Sequence, residues 1–92
     1  MSTRERNQRR AKLEQLSDLD LTLMAGDYVT SLEDHVAAKD WQNAESLTPD
    51  LELIDEILKE RGLYDARMGL RRRAAEALLN EGSAQQSQAG EN

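Results

Sequence analysis

The sequence predicts an all-α fold: a helical hairpin or small three-helix bundle over residues 17–81, with a basic arm (1–16) before it and a disordered tail (82–92) after it. Three observations carry this. Strand-like alternation is absent, and Val and Ile together number four. Apolar residues recur at steps of three and four through the middle of the chain, the period of one helix face. Capping residues, one proline and scattered glycines divide that pattern into helix-sized pieces.

Segment 3–16 is rich in helix formers, but its apolar content is only Ala11, Leu13 and Leu16. Isolated helices shorter than ~12–15 residues are marginal in water, so the arm is expected to be partly helical or disordered, ordering when bound. The pattern fits either a continuation into the next helix or a free arm. Ser17 or Asp18 then supplies an N-cap, with Asp20 near the positive end of the helix dipole. Leu21, Met24, Ala25, Tyr28, Leu32, His35 and Val36 form one stripe and carry this helix to about Lys39. Gly26 inside it either admits a neighbouring helix or is tolerated at a cost of roughly 1 kcal/mol relative to Ala.

Residues 40–48, DWQNAESLT, read as the connection, with the Trp41 ring plugging the corner between two helices. Thr48-Pro49-Asp50 reads as a helix start: Thr48 at the N-cap, Pro49 at the first position, and Asp50 and Glu52 on the dipole. Leu51, Ile54, Ile57 and Leu58 give that helix its apolar face, and Gly62 fits the left-handed position after its end. A last helix is expected from about Tyr64 to Asn80, with Asp65 as cap and Gly82 as stop. Its apolar face reads as Leu63, Leu70, Ala74, Ala77 and Leu78, with Met68 and Leu79 at the margins. The tail SAQQSQAGEN has no large apolar residue.

Ninety-two residues allow one domain, and its core supply is thin: one Trp, two Tyr and no Phe. With no Cys, disulfides and thiolate metal sites are both excluded. Small scaffolds of this kind need another staple, which leaves self-association or a bound partner. The charges are sorted into blocks. Residues 1–16 carry five bases against two acids, 17–56 eleven acids against one base, and 57–73 six bases against two acids, within a net charge of −6. Such blocks bias how helices pair and what the surface docks. No apolar stretch approaches the ~20 residues of a membrane helix, and the basic N-terminus lacks the apolar core of a secretory signal. A cytoplasmic location is the resulting expectation.

Catalytic and metal chemistry find little support. His35 is the sole histidine, and its neighbourhood in sequence completes no acid–base or nucleophile constellation. The acids cluster at Asp18/Asp20, Glu33/Asp34 and Asp50/Glu52/Asp55/Glu56, but without calcium-loop spacing or a Glu-x-x-His motif. The expectation is a non-enzyme with no cofactor and no metal.

Two other readings remain. The segment TRERNQRRAKL resembles the arginine-rich boxB-binding peptide of lambdoid phage N antitermination proteins, through Arg6 and Arg9-Arg10-Ala11. That resemblance implies an RNA- or DNA-binding regulator using Arg6, Arg9 and Arg10, helped by Arg67 and Arg71, which share a helix face. The competing reading of the second basic run is two-point pairing of arginines with the acidic helices. The stretch LEDHVAAKDWQNAESLTPDLELIDEIL is similar to the helix–Asp-Trp–helix corner of tetratricopeptide units and of small flagellar export chaperones. The amphipathic helices give the leading expectation: a protein–protein interaction module (adaptor, inhibitor or chaperone-like subunit), self-associating or docked to a foreign helix. Its contact residues would be Met24, Tyr28, Leu32, Trp41, Ile54 and Ile57.

Overall fold

The computed structural model describes residues 2–91, with side chains described through 84. It is all-α, with four helices: α1 (Thr3–Glu14), α2 (Asp18–Ala37), α3 (Trp41–Glu60) and α4 (Ala66–Glu91). No strand occurs among the described residues. The count corrects the hairpin or three-helix expectation, because the basic arm forms a regular helix of its own. Ser2 caps α1 by accepting the Glu5 N–H at 3.2 Å, and Ser17 caps α2 by accepting the Asp20 N–H at 3.1 Å. No described helix is long and apolar enough to cross a membrane.

The hairpin of α2 and α3 is tighter than the sequence suggests. After Ala37 the chain turns through Lys39, at φ 60°, in the left-handed region that favours glycine. The Asp40 N–H donates to His35 O at 2.8 Å and the Lys39 N–H to Val36 O at 3.1 Å, the paired bonds of a Schellman stop. Helix α3 begins at once, with Trp41 as its first residue, so the expected connection over 40–48 is helical instead. Thr48 is not an N-cap, and Pro49 lies inside the helix. An interior proline costs about 3 kcal/mol and leaves the carbonyl four residues back without its N–H. Here that carbonyl, Glu45 O, accepts the Thr48 hydroxyl at 2.9 Å. Continuing the helix through Pro49 also keeps Ala44, fully buried, and the half-buried Trp41 and Leu47 on the core face. The end of α3 follows expectation. Gly62 sits at φ 73°, with the Leu63 N–H donating to Leu58 O at 2.8 Å and the Gly62 N–H to Lys59 O at 3.1 Å.

The core is built in two patches. One joins Val29, Leu32 and Val36 of α2 to Ala44 and Leu51 of α3 and to Ala75 and Leu79 of α4. The other joins Leu21 and Ala25 to Ile54, Ile57 and Leu58, with Leu13 and Leu16 from the end of α1 laid over it. Tyr28 packs against both. Asp65 caps α4 as expected, accepting the Arg67 N–H at 2.9 Å.

The inward face of α4 is not the expected one. Ala75 and Leu79 are buried, whereas Leu70 is 61% exposed, Leu78 is 55% exposed, and Ala74 and Ala77 are also exposed. Aromatic rings seated on glycines explain the rotation. A Cβ on Gly69 would lie 1.9 Å from the Tyr64 hydroxyl oxygen, and one on Gly82 would lie 2.3 Å from the Trp41 ring. Gly82 therefore continues the helix as a seat for Trp41 rather than stopping it. Gly26 needs no such space, since a Cβ there would meet Met68 at an ordinary 3.7 Å. The tail expected to be disordered falls partly within α4, where the Ser83 hydroxyl donates to Glu45 at 2.8 Å. The side chains from 85 onward, and Asn92 altogether, lie outside the described residues.

Replacing one leucine at a time on α4 tests this rotation. Leu79→Ala should cost on the order of 2–5 kcal/mol, and Leu78→Ala within about 0.5 kcal/mol, in chemical denaturation of dilute protein. Equal costs would mean that the helix faces the core differently.

Candidate functional site

The six expected contact residues divide sharply. Leu32, Ile54 and Ile57 have essentially no accessible surface, so the stripe offered to a partner is consumed by the protein's own hairpin. Met24 and Tyr28 are half-buried along the second core patch. Trp41 alone of the six lines an open groove.

That groove lies between α2 and α4. The two helices run parallel, since Gly26 faces Met68, Glu33 pairs with Arg71, and Val36 and Ala37 lie opposite Ala74 to Leu78. It encloses about 560 Å³ and is lined mainly by apolar groups, with Val36, Ala37 and Trp41 on one side and Ala74, Ala75 and Leu78 on the other. Charge marks its rim: Glu33 and Arg71, and Lys39 and Glu81. Arg71 grips Glu33 with two nitrogens, its Nε donating at 3.1 Å. That hydrogen bond, opposed by burial and helped by the guanidinium charge, holds the Glu33 carboxyl below its ordinary value of 4.5. The same contact raises Arg71 further above its own. No motif in the sequence signals this groove, because it depends on the rotation of α4, and the Trp41 ring that rests on Gly82 comes from the start of α3, far away in the chain.

The arginines of the nucleic-acid reading are mostly engaged with carboxylates. Arg6 reaches Glu56 at 2.5 Å, and Arg9 reaches Asp50 at 3.0 Å. Arg10 forks to Glu14 at 2.7 Å, to Glu56 at 2.8 Å and to Glu60. Together these pairs lay α1 across α3 between Asp50 and Glu60. Arg61 locks the turn between α1 and α2, donating to Glu14 O at 2.8 Å, to Leu16 O at 2.9 Å and to Asp18 at 3.1 Å. Arg72 bridges Asp55 on α3 and Glu76 on its own helix, and burial, which lowers its pKa, is outweighed by those two partners. Among the described residues, Arg67 has no ion-pair partner. His35 is half-exposed, with Nδ1 3.4 Å from Asp40. No group of three or more His, Asp or Glu side chains among the described residues is placed to hold a metal ion.

No protein-family model, no curated protein and no solved structure matches this chain. Neither resemblance drawn from the sequence is therefore carried by a family.

Two outcomes follow from the ion pairs. Helix α1 has no buried residue, and before Leu13 it is held to α3 through Arg6, Arg9 and Arg10. Arg10→Ala should therefore lower amide-exchange protection in α1 by roughly tenfold while that of α3 stays unchanged. Because the Glu33 carboxyl is lowered in the fold, its contribution is present above its ordinary value and is lost as pH falls through the lower folded one. Melting followed from neutral to strongly acidic pH should show a shallower acid limb in Glu33→Gln than in the unsubstituted protein.

Proposed function

We propose that this chain is a non-enzymatic protein–protein interaction module, an adaptor, inhibitor or chaperone-like subunit, that works by packing a helix against its α2–α4 face. The observation that carries this reading is the apolar groove at Trp41 and Leu78, with the exposed Leu70 about two turns before Leu78 on the same helix. A groove between two helices accepts the apolar face of a third helix. The slab-like body, 47 × 30 × 16 Å through its Cα atoms, supports the reading, since so thin a chain leaves a helix flank uncovered. The contact residues move accordingly from the buried stripe to Trp41, Val36, Ala74 and Leu78.

The arginine arm does not add to this reading. Using Arg6, Arg9, Arg10 and Arg71 on a phosphate backbone would require breaking their carboxylate contacts, and a net charge of −6 opposes the approach.

The sole tryptophan reports directly on the groove. An apolar dye such as 8-anilinonaphthalene-1-sulfonate should bind the folded protein at low concentration and quench Trp41 emission. Leu78→Asp should weaken that binding about tenfold with the far-ultraviolet dichroism unchanged. Absence of dye binding by folded, dilute protein would remove the basis of the reading.

A further inference from the structure

The outward face of α4 is symmetric in a way that names its partner. Taken from Ala74 as centre, Leu70 and Leu78 stand four residues before and after, and Arg67 and Glu81 seven residues before and after. All five side chains are exposed, and at 100° per residue they fall within a stripe about 80° wide, centred roughly 120° around the helix from the core face of Ala75 and Leu79. Neither Arg67 nor Glu81 forms an ion pair among the described residues, although most of the other arginines do. The stripe is thus an alanine flanked by two leucines and closed by two uncompensated charges of opposite sign.

We propose that the occupant of this face is a second copy of the chain, with α4 packed antiparallel on its counterpart about a two-fold axis through Ala74. This rests on the interaction-module reading and specifies its partner. In an antiparallel pair about that axis, Leu70 meets Leu78 of the other copy, and Arg67 meets Glu81, each contact occurring twice. Ala74 meets its own equivalent, and its small side chain lets the helices approach closely. Arg71 falls opposite Ala77, which leaves room for its fork to Glu33. A parallel pairing would set Arg67 against Arg67 and Glu81 against Glu81, so charge selects the antiparallel arrangement. A foreign helix could cover the leucines, but nothing about it would call for the equal spacing on both sides of Ala74. The overlap from 67 to 81 is about 21 Å long, and it brings the second α4 beside Leu78 at the edge of the groove.

The test uses the full chain, which has no cysteine of its own. Light scattering behind size exclusion, over a wide dilution series, should show a dimer that dissociates on dilution, and Ala74→Glu should yield a folded monomer. Arg67→Glu and Glu81→Arg should each raise the dimer dissociation constant roughly tenfold, and the double exchange should restore it. Ala74→Cys should oxidise to a covalent dimer, whereas Asn80→Cys, on another side of the helix, should not. All these positions are exposed, and dichroism confirms folding in each variant. Charge rescue together with the Ala74→Cys link establishes the arrangement. A dimer indifferent to Ala74→Glu and lacking rescue overturns it while leaving the interaction reading intact. A monomer at every concentration also overturns it, and the dye experiment on Trp41 then decides separately whether the groove serves a foreign helix.

Discussion

The rotation of α4 about its own axis is set by two rings resting on two glycines. Tyr64 occupies the space a side chain at Gly69 would fill, and Trp41 does the same at Gly82. Between these seats Ala75 and Leu79 face the core, and Arg72 is drawn to Asp55 across the α3 boundary. Everything on the opposite side of the helix is exposed as a consequence. The exposed Leu70 and Leu78, the groove beside Trp41 and the charges of Arg67 and Glu81, unpaired among the described residues, all follow from that one constraint. A side chain at either glycine would displace the ring that rests there, whereas a leucine at either of two adjacent positions can reach a core with small adjustment.

The charge blocks find their explanation inside the molecule. The basic N-terminal helix lies on the acidic α3 through Arg6, Arg9 and Arg10, and the second basic run meets Glu33, Asp55 and Glu76. Exposed pairs of this type are each worth only ~0.2–1 kcal/mol, well below the burial of a single core leucine. Their effect is on placement: they choose which helix α1 lies against and in which direction. The more enclosed Arg72 bridge orients α4 against α3 at the level of Tyr64.

Much of the local structure was legible in the residues themselves. Ser17 as cap, Asp65 as cap and Gly62 in the left-handed region were fixed by short-range chemistry, and each is found in place. The pairing of the second basic run with acidic helices was legible and is found at Arg71 and Arg72, whereas the pairing of Arg6, Arg9 and Arg10 with α3 was not. Thr48-Pro49 misled because its local meaning, a helix start, was outweighed by the burial of Ala44 and the seating of Trp41, while the Thr48 hydroxyl supplied the bond that proline cannot. Lys39 concealed the end of α2, since a lysine carries no sign of the left-handed turn it adopts.

The sequence by itself determined that the chain is helical, where two of its helices begin, and that the stripe of Leu32, Ile54 and Ile57 must be covered. Periodicity and capping act within a few residues and need no knowledge of the rest of the fold. Only the tertiary structure decided that this chain covers that stripe itself, and that Leu70, Ala74 and Leu78 are the apolar residues left outside. On α4 the sequence offered two overlapping apolar faces, and no local rule ranks them. The contact of Trp41 with Gly82 does, because the start of α3 and the far part of α4 must first be brought together before a missing side chain becomes a seat.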